Sequence, residues 1–268
     1  MHPECLASLA VPLPKGRMIA SGEGDGAARA LWLSDAPVSA GLWIRVHAAH
    51  SASSLWPLLL DGEDSHDGAF RPWASGELFP ERMSSPGAHD PAVLLERWWT
   101  AYTRIHDDDH LTPEERLAVT APFGRTWPRP APGRENISGA GERAEEYARV
   151  FVRQYPRSRL GLVAASGGAD ALTAVGWQGP ANYGDTAAFS ALVRDWERRF
   201  GARVVAVGAS TLHLSVAAPP VRIEDALLVA AEHFAFCPDA IWQGARPCTL
   251  AAHAERIVGM NCWSFWWD

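Results

Sequence analysis

Lysine is almost missing from this chain: Lys15 stands alone among 24 basic residues in 268, and the others are arginine. With abundant Ala, Gly and Pro, that is the composition a GC-rich genome imposes, so the arginine excess is no sign of phosphate recognition. Positive net charge is missing too. The formal charge is −7 and the pI about 5.8, and no overall field draws nucleic acid or an anionic membrane surface. Long apolar runs are lacking as well: Leu55–Leu60 and Ala226–Ala231 fall far short of the roughly 20 residues that cross a bilayer. The first residues show no signal-peptide apolar core. We therefore expect a cytoplasmic protein with no nucleic-acid and no membrane partner.

Paired thiols are absent. Cys5, Cys237, Cys248 and Cys262 have no C-x-x-C spacing, which argues against a zinc ribbon or redox pair and suits a reducing compartment. No G-x-S-x-G elbow marks a serine nucleophile and no H-E-x-x-H helix marks a zinc hydrolase. What the chain has in excess is tryptophan, 13 residues, a side chain that fills cores and also anchors binding surfaces.

Three stretches differ in character. Residues 1–118 read as a small N-terminal α+β domain. Its strand-like runs are Arg29–Leu33, Leu42–His47 and Leu55–Leu60, the last placed at an edge by Pro57. Asp90-Pro91 and Thr112-Pro113-Glu-Glu115 then start two helices. Residues 119–141 alternate proline with glycine and read as a linker, pinned in part by Phe123 and Trp127. Residues 142–268 read as an α+β module. It begins with the amphipathic helix Glu142–Gln154 and the buried strand Leu160–Ala165, and Thr186 is expected to cap the helix Ala187–Phe200. Strands Arg203–Ala209 and Leu212–Ala217 pair around a turn, with His213 and Ser215 facing outward. Two helices follow, the first stopped by Pro238. A last strand alternates Trp263, Phe265 and Trp267 with Cys262, Ser264 and Trp266; both faces look buried, which places it inside the sheet. The fold class expected is α+β, with a mainly antiparallel C-terminal sheet of about four strands covered by helices.

Four polar clusters are candidate sites. In Glu232, His233, Cys237 and Asp239, the i, i+4 spacing of His233 and Cys237 puts two metal-type ligands on one helix face. His213 would supply a third ligand for a divalent metal, and Glu232 and Asp239 the acid/base chemistry. A packed helix end explains the same residues. His106-Asp-Asp-Asp-His110 has cation-binding residue types but also suits a solvated turn before a helix. Ser166-Gly-Gly-Ala-Asp170 is a glycine-rich turn that would offer backbone N–H groups to a phosphate. It lacks the P-loop and dinucleotide patterns, and Asp170 opposes an anion. Gly179–Thr186 places Asn182 and Tyr183 where, with Trp242 and Gln243, they would line a ligand pocket, although turn formation accounts for it too.

Several of these stretches resemble a known family. Ala231-Glu-His-Phe-Ala-Phe-Cys-Pro-Asp239, Trp242-Gln-Gly244 and the closing Phe-Trp-Trp-Asp268 are similar to the bacterial family called domain of unknown function 4253. So are Leu160-Gly-Leu-Val163, Ser166–Leu172, Trp196–Ala202 and Leu214–Pro220. The resemblance covers residues 160–268 and extends weakly through Leu55–Gly62 and Pro122–Gly124. It implies a soluble bacterial protein and carries no activity, cofactor or catalytic residue. The residues favour a non-catalytic module that binds a protein or small-molecule partner, of an accessory or immunity type. The alternative is a metal-assisted hydrolase built on Glu232, His233, Cys237 and Asp239.

Overall fold

In a computed structural model, residues 6–23, 28–64, 70–105 and 112–268 are described. Their centre is a seven-stranded sheet. Three strands precede the proline-rich segment: β1 (Gly16–Ala20), β2 (Arg29–Pro37) and β3 (Leu55–Leu60). After the short hairpin β4 (Glu63–Asp64) and β5 (Phe70–Arg71), the sheet resumes with β6 (Arg159–Ala164), β7 (Ala202–Val207), β8 (Thr211–Val216) and β9 (Cys262–Trp266). The strand order is β1-β2-β6-β3-β7-β8-β9, antiparallel except where β3 and β7 run parallel. Because β6 lies between β2 and β3, strands from both sides of residues 119–141 share one sheet. The mainly antiparallel sheet expected for the C-terminal part is thus continuous with the N-terminal strands, and the expected boundary does not divide it.

Helices cover both faces, which is why most strands are buried on both sides. On one face lie α1 (Ala40–Ala48), followed by the single turn α2 (His50–Ser53), and later α5 (Ala140–Gln154). Leu42, Trp43 and Val46 of α1 and Ala144, Ala148 and Phe151 of α5 pack there on Leu55, Leu59, Leu160 and Leu162. The other face carries α3 (Pro91–Tyr102), α6 (Gly168–Val175), α7 (Thr186–Phe200), α8 (Ile223–Phe236) and α10 (Leu250–Ile257), with the short helices α4 (Pro113–Val119) and α9 (Asp239–Trp242). Their apolar sides meet Leu31, Leu58, Val204, Leu214 and Phe265.

Local signals explain most of these elements. Asp90 caps α3 by accepting from the Ala92 and Val93 amides, and Thr112 with Glu115 forms a reciprocal capping box on α4. Asp185, rather than Thr186, caps α7; the Thr186 hydroxyl instead donates to the Trp177 carbonyl, 2.5 Å away. Leu42–His47, expected as a strand, is the body of α1, because Leu42, Trp43 and Val46 recur at helical spacing toward one core. Pro57 lies in an interior strand. It is tolerated because β7 pairs with β3 only at Leu59 and Leu60, so no second partner requires its missing N–H.

The final strand departs from expectation. β9 is the sheet's edge, bonded to β8 alone. Trp263, Phe265 and Trp267 are buried, whereas Ser264 is exposed and Cys262 and Trp266 are half-buried. Parts of residues 119–141 are pinned to the core: Phe123 and Trp127 contact the Trp99 ring at steep angles, and Ala131 is buried.

Candidate functional site

The first cluster expected from sequence is pulled apart into separate structural jobs. Glu232 is fully buried and accepts from Arg199 Nη2 (2.5 Å), Arg199 Nη1 (3.0 Å), the Trp196 indole (2.7 Å) and the Ala131 amide (2.6 Å). Arg199 also donates to Asp195 at 2.5 Å and to the Ala131 carbonyl at 2.9 Å. Burial works against the guanidinium charge, but Glu232 and Asp195 hold its pKa above the ordinary value. This network ties α7, α8 and the proline-rich segment together, and no oxygen of Glu232 is left to act on a ligand.

His233 is buried among Trp196, Trp263 and Phe265, with Nδ1 3.1 Å from His253 Nε2 and Nε2 without a partner among the described residues. Burial, helped by His253, keeps it neutral. Cys237 donates its thiol to the Trp266 carbonyl at 2.9 Å, and burial pushes its pKa up to about 12. His213, the expected third ligand, lies on the opposite face of the sheet beneath α5. Its Nδ1 is 3.2 Å from the Tyr147 hydroxyl, and burial pushes its pKa down to about 4. Ser215, also expected to face outward, is fully buried there. Among the described residues no group of three or more His, Cys, Asp or Glu is placed to hold a metal. His106–His110 lies outside the described residues.

The expected ligand-pocket residues do come together, around the chain's own final residues. Asp239 accepts from the Tyr183 hydroxyl (2.5 Å), the Gln243 amide (3.3 Å) and the Asp268 backbone amide (3.2 Å). Asn182 donates to the Asp268 carbonyl at 3.2 Å. Trp242 packs edge-on to Phe234 and Tyr102, with Arg116 over its ring. The polar groups of this cluster are occupied by the protein itself.

A different region is open. A cleft of about 610 Å³ lies where the C-terminal end of β6 meets the start of β3 and β7. Helix α1 brings His47, and His50 follows it; the turn after β6 brings Ser166 and Gly167; α7 brings Arg194, Glu197 and Arg198, and β7 brings Arg203. The floor is Trp56, whose ring contacts both histidines edge-on and whose indole donates to the Val204 carbonyl at 3.1 Å. Gly168 must be glycine: a Cβ there would meet the Trp56 ring and Val204 at 2.9 Å.

Charge in the cleft is unevenly compensated. Asp170 binds both Arg194 and the Ser166 hydroxyl, and Asp195 binds Arg198 as well as Arg199. Arg203 has no carboxylate within ion-pair distance among the described residues; its Nη1 donates to the neighbouring Ala202 carbonyl. Glu197 accepts from the Ala169 amide at 3.2 Å at the start of α6. Burial outweighs Arg203 and that amide and pushes its pKa up to about 7. Burial, then His50 and Arg203, push His47 down to about 4. His50 Nε2 is 3.2 Å from the Ser166 carbonyl, while its buried Nδ1 has no partner among the described residues.

The glycine-rich turn at Ser166 was visible in sequence as a possible anion cradle, but the other cleft residues were not. They are spread from 47 to 203, and His47 sat in a run that reads as strand. Part of the cleft lies in a stretch that matches a family model. Residues 159–268 match the model of the family described as Domain of unknown function (DUF4253). That is the stretch in which the resemblance was expected. It contains Ser166, Arg194, Glu197, Arg198 and Arg203, whereas His47, His50 and Trp56 come from outside it. No curated protein and no solved structure matches the chain. Among the described residues no helix is long and apolar enough to cross a membrane.

Proposed function

We propose that the protein is a binding module for a small polar molecule, held in the cleft between α1, α6, α7 and β7. The observation that carries this reading is the contrast between two polar clusters. Around Glu232 and Asp239 the carboxylate oxygens are consumed by internal hydrogen bonds, and the unpartnered His233 Nε2 is sealed among aromatic rings away from any opening. In the cleft, among the described residues, Arg203 has no carboxylate within ion-pair distance and the buried His50 Nδ1 has no hydrogen-bond partner. A concave site with a few convergent, incompletely satisfied polar groups is the usual form of a small-ligand site.

A binding surface made of exposed tryptophans has less support. Ten of the 13 tryptophans are buried and the other three are half-buried, so aromatic mass goes into the core. A hydrolase using His213, His233 and Cys237 on one metal has less support too, since the sheet separates His213 from the other two.

The test is thermal unfolding of the full chain against a panel of small anionic, neutral and cationic molecules. A ligand at about 100 times its Kd stabilises by about 2.7 kcal/mol, a shift of several degrees for this size. The stabilisation should vanish in His50→Phe and persist in Gln243→Ala. The opposite pattern, or no stabilising molecule in any class, would overturn the proposal.

A further inference from the structure

The cleft's charges narrow the ligand to a chemical class, on the premise that the cleft is the ligand site. We infer that it takes a small oxyanion, a carboxylate or a phosphate-like group, gripped by Arg203 and Arg198 while the neutral Glu197 carboxyl donates a hydrogen bond to one of its oxygens.

The geometry points there in three ways. Arg203 is the cleft cation without a carboxylate counterpart among the described residues, and it projects from β7 into a space shared with Glu197. Arg198 is 75% exposed along its side chain, so its contact with Asp195 leaves most donors of its fork free. Glu197 is the third part. One of its oxygens accepts from the Ala169 amide, leaving the other at the Gly167 side of the cleft.

The groups facing Glu197 determine its protonation. From α7 come Arg194, already paired with Asp170, and Arg198; from β7 comes Arg203; from the turn and α6 come Ser166 and Asp170. His47 and His50 face it from the α1 side, where burial keeps His47 neutral. Burial pushes the Glu197 pKa up to about 7, so a neutral carboxyl is accessible near neutrality. An arriving anion favours that neutral form further, because it repels the carboxylate. The ligand and a proton therefore bind together: the carboxyl O–H becomes a donor to the ligand oxygen, and no covalent bond is made or broken.

The experiment is an amide chemical-shift titration of the full chain with sulfate and, separately, acetate, neither of which titrates between pH 6 and 8. Sulfate stands for a phosphate group and acetate for a carboxylate, and the stronger binder names the source. Saturable shifts are expected at Gly141, Gly167 and Ala169. Binding should be about tenfold weaker at pH 8 than at pH 6, as the fraction of protonated Glu197 falls. Arg203→Met should weaken it at least tenfold. The exposed Arg198→Ala, which places no demand on the core, should weaken it severalfold. Glu197→Gln should keep the affinity and lose the pH dependence. No saturable shift with either anion at pH 6, equal binding at pH 6 and 8, or indifference to both arginine changes would each overturn the inference. A neutral or cationic molecule that shifts these amides when the anions do not would overturn it while leaving the ligand-binding reading intact. If no molecule shifts them, both fall.

Discussion

Glu232 is a fully buried carboxylate and Glu197 a half-buried one at the cleft, and they are built for opposite ends. Glu232 has four hydrogen bonds, two of them from Arg199. Removing its charge leaves a guanidinium with only Asp195 for company, and breaking a buried pair typically costs about 3–5 kcal/mol. Glu232→Gln should therefore lower stability to urea by about that amount; a loss below 1 kcal/mol would show that the network does not hold these elements together. Glu197 has one amide donor and a raised pKa. Its folded form binds more protons than the unfolded chain between about 4.5 and 7, so its contribution is lost as pH rises through that window. At pH 8, Glu197→Gln should be more stable than the parent by about 1–3 kcal/mol, and at pH 4 the difference should disappear. A stability difference unchanged between pH 4 and 8 would refute the raised pKa. Neither fate was legible in the sequence: their partners, Ala131 and Ala169, are distant backbone groups that no spacing predicts.

Elements were more legible than residues. Caps and breakers at Asp90, Thr112, Gly201 and Pro238 marked helix ends by local chemistry, and the helices begin and stop there. Leu42–His47 misled because a short apolar run has no decisive period. β9 misled in another way. Its aromatic alternation suggests burial on both faces, but only Trp263, Phe265 and Trp267 are buried, and the strand closes the sheet at its edge. The strand is still essential to packing, since Phe265 stacks on Trp196 and Trp263 meets the same ring edge-on. Phe265→Ala should cost about 3–5 kcal/mol, and deletion of Trp263–Asp268 should abolish the near-ultraviolet circular dichroism of the tryptophan core. A truncated chain with the parent's melting temperature would contradict this packing.

At the scale of the molecule, sequence order hides the architecture. The sheet places β6 between β2 and β3, so the proline-rich residues 119–141 divide nothing at the level of the sheet. The same interleaving builds the cleft from segments more than 150 residues apart, which is why composition and motifs pointed toward Glu232–Asp239 instead. It also buries histidines on both faces. His47, His213 and His253 have pKa values pushed down to about 4 by burial, and that of His233 is lower than normal too. The unfolded chain binds protons at these sites below about pH 6.5 while the folded chain does not, so stability should fall as pH drops from 6.5 toward 4. Each histidine contributes at most about 1.4 kcal/mol per pH unit. A flat stability profile across that range would mean these rings are protonated in the folded state.

The central claim is that a ligand occupies the cleft and leaves the Glu232–Asp239 region to its structural work. The most direct measurement is a crystal structure of the full chain grown with the molecule that raises its melting temperature most. The account predicts density beside Arg203, Arg198 and His50, above the Trp56 ring. Density lodged against Asp239, Tyr183 and Trp242, with the cleft holding only solvent, would contradict it.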